Sequence, residues 1–247
     1  MNLCAMYSTC NRLRYTKVTL PLAWKFAGNR ARLIVHDDAS EDGTDGWLKA
    51  WCTGKPGVSL HIEPERRGIA CSTNFGFRTA VDEGFDAVAI LDNDILVPPG
   101  WLDRLSAMLH VHPEISLLSG HIVNDWTVEN MLMKSQEIGD GIFDTGGCGG
   151  AFVAVRTSVM KEHDLWYAPC LTFSYEDAAF HEKCVRRGLR IGLDTRLQAW
   201  HLQTIFWADV SYEREKIRNR RTARGFPIDD AALDKALRYE REKWGVE

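Results

Sequence analysis

Short apolar segments alternate with segments of helical periodicity over the first two hundred residues, and this alternation limits the chain to few architectures. Strand-like runs lie at residues 3–7, 32–35, 59–62, 86–91, 116–123, 151–155 and 190–193. Helical patterns lie between them at residues 13–27, 44–52, 69–84, 102–112 and 175–187. Such an order predicts an α/β fold in which helices flank a mostly parallel sheet.

The size and charge of the chain exclude several other classes. Its 247 residues, 45% of them hydrophobic, can build one large α/β domain or two small ones. A net charge of -4 gives no general attraction to nucleic acid. No apolar run approaches the roughly 18 residues of a membrane span, and no signal-peptide pattern is present. Seven cysteines, without Cys-x-x-Cys spacing, argue against a disulfide framework or a zinc site, so we expect a soluble, reduced, cytoplasmic protein.

The composition changes near residue 211, where the chain becomes charged and helix-prone. We therefore predict a domain at residues 1–210 and a charged helical extension at 211–247. Within the extension, residues 212–225 carry six basic side chains and two glutamates. This segment is interpreted either as a solvated helix face or as a contact for an anionic lipid-linked acceptor or a nucleic-acid backbone.

Polar clusters follow three of the predicted strands, at residues 8–11, 37–40 and 92–94. In an open α/β sheet, ligands bind beyond the carboxyl ends of the strands. The three clusters are therefore expected to meet in one binding site.

The carboxylates of Asp92 and Asp94 follow the fourth predicted strand. Side chains two residues apart on an extended segment point the same way, so both can face one hard cation such as Mg²⁺ or Mn²⁺. That cation would also bind diphosphate oxygens. The alternative is a pair of solvated turn residues ahead of the turn at residues 98–100.

Two further acidic residues have both a structural and a functional interpretation. Asp38 lies near Ser40 and Asp42, either of which could cap the next helix, while Asp38 itself could accept a hydrogen bond from a nucleobase. Ser174 and Asp177 resemble a capping box, whereas the functional interpretation makes Asp177 a general base for an acceptor hydroxyl.

Taken in order, six segments resemble glycosyltransferase family 2, whose members have the GT-A fold and use nucleotide sugars. They are STCNR (8–12), HDDASEDGT (36–44), RRGIACSTNFGFRTA (66–80), LDNDILVPPGWL (91–102), GGCGGAFVAVRTSVM (146–160) and YEDAAFHEKCVRRG (175–188). The resemblance covers about four-fifths of the chain. Departures are Ala39 in place of the usual glycine and Lys183 in place of the usual arginine.

The resemblance implies roles for particular residues. Contacts to the nucleotide-sugar donor would come from Ser8, Thr9, Asp38, Arg67, Asp92 and Asn93. Asp94 and Asp92 would hold Mn²⁺ or Mg²⁺, and His201 lies where some GT-A enzymes place a further ligand. Asp177 would be the catalytic base, with Glu176 contacting the acceptor.

The implied activity is an inverting, metal-dependent, single transfer from a nucleotide-diphosphate sugar, most simply a UDP-sugar, to an acceptor hydroxyl. The acceptor could be a glycan, a lipid-linked sugar or another hydroxyl compound, and GDP and dTDP donors stay open. Residues 203–207 match the Gln-x-x-Arg-Trp motif of processive members only in part. Alternatives are transfer to modified DNA bases, a sugar-phosphate nucleotidyltransferase, and a non-catalytic nucleotide-sugar-binding module.

Overall fold

The computed structural model describes residues 1–28, 31–123, 130–168 and 176–202, with 231, 234 and 235. Its ten strands are β1 (Leu3–Thr9), β2 (Arg32–Asp37), β3 (Val58–Ile62), β4 (Ala87–Asp92), β5 (Ile95–Leu96), β6 (Ile115–Ile122), β7 (Gln136–Gly139), β8 (Ile142–Asp144), β9 (Phe152–Arg156) and β10 (Arg190–His201). Its helices are α1 (Leu13–Phe26), α2 (Thr44–Cys52), α3 (Ile69–Asp82), α4 (Trp101–Val111), α5 (Ser158–His163) and α6 (Glu176–Arg186).

One sheet runs through the described residues in the order β3-β2-β1-β4-β9-β6-β10-β8-β7, and β5 pairs with the end of β10. The strands β3, β2, β1 and β4 are parallel, and β6 is parallel to β10. Strand β9 is antiparallel to both of its neighbours, β4 and β6. The longest pairings are parallel, which brings the carboxyl ends of β1, β2 and β4 to one edge.

Two apolar layers cover the sheet. Alternate residues of β1 enter different layers, with Ala5 in one and Met6 in the other. Helices α1, α2 and α4 contribute to the first layer, and α3, α5 and α6 to the second. This three-layer arrangement is what helices on both faces of a sheet produce.

The predicted α/β fold with helices around a mostly parallel sheet is confirmed. Strands β5, β7 and β8 were not predicted, because segments of two to four residues carry no readable periodicity. Strand β10 continues to His201, eight residues past its predicted end. The proposed extension at 211–247, its basic segment at 212–225 and the partial motif at 203–207 lie outside the described residues, apart from 231, 234 and 235. Among the described helices, none is long and apolar enough to cross a membrane.

Candidate functional site

The pairing of β1 with β4 sets Ser8 beside Asp92 at the carboxyl edge of the sheet. The Ser8 hydroxyl donates to Oδ1 of Asp92 over 3.2 Å. Burial, with the charges of Asp94 and Glu176, raises the pKa of Asp92 to about 7, against the opposing effects of the Ser8 hydrogen bond and Arg12. Asp92, Asp94 and Glu176 therefore share one electrostatic environment, although α6 lies far along the chain from β4.

The carboxylate of Asp94 is buried between Arg12 and His201. Oδ2 of Asp94 lies 2.8 Å from Nη1 of Arg12 and 3.5 Å from Nε2 of His201. The short β5–β10 pairing places His201 opposite Ile95, and the amide of Leu202 donates to the Asp94 carbonyl over 2.8 Å. The end of β10 is thus fixed against the acidic turn.

Asn93 lies between Asp92 and Asp94 in the sequence, but its side chain is buried and bonds neither carboxylate. Its Nδ2 donates to Oγ1 of Thr9 over 2.9 Å, and its Oδ1 accepts from Arg12 at 3.4 Å. The Asn93 carbonyl accepts from the Thr19 hydroxyl over 2.9 Å. Asn93 and Thr9 are both buried, and their hydrogen bonds link the ends of β1 and β4 to each other and to α1.

Both carboxylate oxygens of Asp38 accept hydrogen bonds from the loop before α3. They accept the backbone N–H groups of Arg67, at 2.7 Å, and Gly68, at 2.9 Å. The start of α2 is instead served by Asp42, whose Oδ1 accepts from the Thr44 amide over 3.1 Å. The structure therefore places Asp38 at the loop that carries Arg67. The expectation that Ser40 or Asp42 caps α2 was wrong, because the N-cap residue is Gly43 and no side chain caps this helix; Asp42 instead bonds the amide of Thr44, the first helical residue.

Asp177 lies in the first turn of α6 and packs against the glycine-rich segment. Its Oδ2 accepts from the Gly150 amide over 3.2 Å, and its Oδ1 from the Ala178 amide over 2.7 Å. A Cβ added at Gly150 would lie 2.8 Å from the Asp177 Cβ, closer than real contacts allow. Gly150 is therefore a steric requirement for the position of Asp177. Ser174, the predicted start of the capping box, lies outside the described residues.

Several buried groups to which the sequence gave no role lie near enough to Asp177 for its charge to act on them. Sγ of Cys148 lies 3.5 Å from Nε2 of His181, one helical turn beyond Asp177. The amide side chain of Asn74 bonds both backbone groups of Tyr167, accepting at 3.0 Å and donating at 2.9 Å. Asn74 lies in the segment at 66–80 that resembles the family, and this resemblance was the signal in the sequence that could have identified it. Nothing in the sequence pairs Cys148 with His181.

The acidic pair has the chemistry of a divalent-cation site. Asp92 and Asp94 offer oxygen ligands, and His201 offers an imidazole nitrogen close to Asp94. Mutual repulsion contributes to the raised pKa of Asp92, and a shared cation would remove it. Arg12 already supplies one positive charge to Oδ2 of Asp94, so a cation bound by Asp94 would share its carboxylate with Arg12. The residues present fit Mn²⁺ or Mg²⁺.

Residues 8–161, more than half of the chain, match the sequence profile of glycosyl transferase family 2. This chain belongs to glycosyltransferase family 2. The matched range contains Ser8, Asp38, Asp92 and Asp94, and ends before Asp177 and His201.

Relatives of this family 2 chain are distant. It is 32% identical over 69 residues to the glucosyl-dolichyl phosphate glucuronosyltransferase of Haloferax volcanii, over 28% of this chain and 21% of that protein. The chain thus matches about a fifth of that curated relative's length.

Solved structures agree on the fold. A mannosyltransferase from Pyrobaculum calidifontis, in complex with GDP-Man and Mn²⁺, aligns with a TM-score of 0.64 and 17% identity over 97% of this chain and 68% of that one. TarS 1–349 of S. aureus, in complex with UDP-GlcNAc, aligns with a TM-score of 0.62 and 15% identity over 96% of this chain and 70% of that one. The family 2 chain therefore has the predicted GT-A fold.

Proposed function

We propose that this protein transfers one sugar, with inversion, from a nucleotide-diphosphate sugar to an acceptor hydroxyl. The observation that carries the proposal is the meeting of Asp94 and His201, 3.5 Å apart, at the strand edge where the charge of Glu176 also acts on Asp92. Donor-side and acceptor-side groups are thereby brought to one place, as an in-line displacement requires.

The donor would lie across the ends of β1, β2 and β4. Asp38 is proposed to contact the base, beside Ser8 and the exposed side chain of Arg67. Asp92 would contact the ribose or the cation. Thr9 and Asn93, predicted as donor contacts, are both buried and bonded to each other, so we propose that they act by positioning Ser8 and Asp94 on either side of them.

We propose Asp92, Asp94 and His201 as the holders of Mn²⁺ or Mg²⁺. When bound there, such a cation would neutralise charge on the departing diphosphate. Arg12, bonded to Asp94, keeps a positive charge at the same position. The mannosyltransferase of known structure was solved with Mn²⁺, which favours Mn²⁺ as the first cation to try.

Asp177 is proposed as the general base. Two backbone amides fix its carboxylate, so that its free lone pairs can accept the proton of an acceptor hydroxyl. The hydroxyl oxygen would then attack the anomeric carbon opposite the diphosphate, which gives inversion in one displacement. Glu176, at the same helix start, would contact the acceptor.

We propose UDP as the donor nucleotide and a lipid-linked sugar as the first acceptor class to try. TarS was solved with UDP-GlcNAc, whereas the mannosyltransferase was solved with GDP-Man, so GDP is the second nucleotide. The Haloferax volcanii relative is named for a dolichyl-phosphate-linked sugar, which supports the acceptor class.

The test is calorimetric titration of the full chain with UDP, GDP and dTDP, with and without Mn²⁺. We expect UDP to bind only with Mn²⁺, and Asp94→Asn to remove that dependence together with most of the affinity. Asp103→Asn, an exposed carboxylate in the first turn of α4, is the matched control and should bind as the wild type. Equal UDP affinity in Asp94→Asn would overturn the cation assignment, and pyrophosphate release from a nucleoside triphosphate would point to a nucleotidyltransferase.

A further inference from the structure

Three metal-binding side chains converge at the ends of β2 and β3, separated from β4 by β1. His36 and His61 are register partners on the two parallel strands, and Glu63 follows β3 directly. One ligand atom from each of the three lies within 4.8 Å of the other two. No step of the proposed reaction uses these side chains.

The separations between these atoms match those between the ligands of a tetrahedral metal ion, and the His36–Glu63 pair is also within hydrogen-bond reach. Oε1 of Glu63 lies 3.3 Å from Nε2 of His36 and 3.4 Å from Nε2 of His61. Ordinary N–H···O bonds are about 2.7–3.2 Å long. Ligands bound to Zn²⁺ at about 2.0–2.1 Å in a tetrahedron lie about 3.3–3.4 Å from each other. Glu63 thus already has the spacing from each imidazole that zinc imposes.

Phe75 packs against both histidine rings, and the two histidines differ in their exposure. The ring of Phe75 lies 5.0 Å from that of His36 and is stacked on that of His61 at 4.4 Å, so both imidazoles are held in place. His36 is fully buried, so its imidazole is fixed in a site that bulk water does not reach. The side chain of His61 is 41% exposed and leaves an entry path for an ion.

We propose that His36, His61 and Glu63 form a Zn²⁺ site, with water as the fourth ligand, separate from the cation site at Asp94. Two imidazoles and one carboxylate are a donor set that zinc accepts. Among the described residues, Nδ1 of His36 has no hydrogen-bond partner. Because such outer partners strengthen zinc sites about 10–100-fold, we expect Zn²⁺ to bind here more weakly by about that factor than at sites whose histidines are so supported.

The site would act on the loop that carries Arg67. The second oxygen of Glu63 lies 3.8 Å from Nη1 of Arg67, and Asp38 holds the backbone of the same loop. A bound zinc would cross-link the end of β3 to β2 next to this loop. The ion is therefore proposed to be structural, and it is independent of the donor's own cation.

The test uses the full chain without a histidine tag, with Co²⁺ as a spectroscopic probe and Mg²⁺ in excess to occupy oxygen-ligand sites. We expect the intense visible absorption of tetrahedral Co²⁺, saturating at one ion per chain and abolished when Zn²⁺ displaces it. His61→Ala and Glu63→Gln should each weaken Zn²⁺ binding at least tenfold in competition with a chelating dye. His110→Ala, an exposed histidine on α4, is the control and should match the wild type.

Two results would overturn the site: wild-type protein without tetrahedral absorption, or both variants binding Zn²⁺ as the wild type does. Circular dichroism without metal checks that each variant folds. Should His61→Ala fail to fold, Glu63→Gln alone decides, since it keeps the size and the hydrogen-bonding oxygen of the residue it replaces.

Discussion

The guanidinium of Arg12 donates to the carboxylate of Asp94 over 2.8 Å, and the two side chains are 6% and 5% exposed. Arg12 reaches this position from a left-handed backbone conformation, with φ of 66°, immediately before α1. The central acidic residue of the site therefore carries its own counter-ion within the protein. A cation bound at Asp94 would therefore lie beside an existing positive charge, which opposes its binding.

Arg12→Gln should destabilise the metal-free protein and make it more responsive to metal. Loss of one partner of a buried ion pair costs about 3–5 kcal/mol, so we expect Tm in EDTA to fall by roughly 6–20 °C. Because the positive charge of Arg12 is then removed from Asp94, Mn²⁺ should raise the Tm of the variant more than that of the wild type. Thermal unfolding with and without Mn²⁺ measures both effects. Arg14→Gln, at an exposed position on α1, is the control, and equal Mn²⁺ responses in all three proteins would contradict the prediction.

Asp92→Asn should stabilise the metal-free protein at high pH and not at low pH. The pKa of Asp92 rises from an ordinary 3.8 to about 7 on folding, so between these values the folded chain holds a proton that the unfolded chain has lost. Stability contributed by Asp92 therefore falls as the pH rises from about 4 to about 7. Asparagine cannot ionise, so the variant does not lose this stability. We expect its free energy of unfolding at pH 8 to exceed that of the wild type by at least about 1 kcal/mol, which corresponds to roughly 2–4 °C in Tm.

The measurement for Asp92 is thermal unfolding in EDTA from pH 4 to pH 8. The difference in Tm between Asp92→Asn and the wild type should grow across this range and then level off. Asp103→Asn supplies the baseline for removing an exposed carboxylate. A difference that does not change with pH would show that Asp92 ionises normally.

Asp177→Asn should reduce sugar transfer about 10²-fold or more while donor affinity stays within about twofold, since a lost general base affects the chemical step. Single-turnover transfer and nucleotide titration on the same preparation separate the two quantities. Glu182→Gln, an exposed change on the same helix, should leave both unchanged. Near-normal transfer by Asp177→Asn would remove Asp177 from the mechanism.

Gly150→Ala should lower transfer by displacing Asp177. The new Cβ would lie 2.8 Å from the Asp177 Cβ and 3.1 Å from its Oδ2. A misplacement of about 1 Å at a catalytic group can cost on the order of 10²-fold, so we expect a loss of that size in kcat with donor affinity retained. Gly147→Ala is the matched control, because a Cβ there would meet no atom of the described residues within 4 Å, its two chain neighbours aside. Similar kcat values for the two variants would argue against the steric role.

Much of the fold could be predicted from the sequence because strands such as β1 and β4 are buried apolar runs that end at polar clusters. The order of the strands could not, since the insertion of antiparallel β9 between β4 and β6 depends on packing across the whole sheet. The same limit applies to β10, whose continuation to His201 is set by pairing with β5.

In the candidate site, the expected convergence of strand ends accounts for Ser8 beside Asp92. Sequence reasoning gave no role to Arg12, because a left-handed residue sends its side chain in a direction that spacing along the chain does not indicate. It also missed His36 and His61, since ligands on separate strands leave no spacing pattern.

The close fit between Gly150 and Asp177 has a consequence for the history of the family. On this backbone a Cβ at position 150 would lie 2.8 Å from the Cβ of residue 177, which every residue except glycine has, so the clash does not depend on the carboxylate itself. Loss of the acid alone would not release position 150; that would take glycine at 177 or a shift of the backbone. Glycine at 150 should therefore persist across related sequences even in lineages where position 177 has lost its acid.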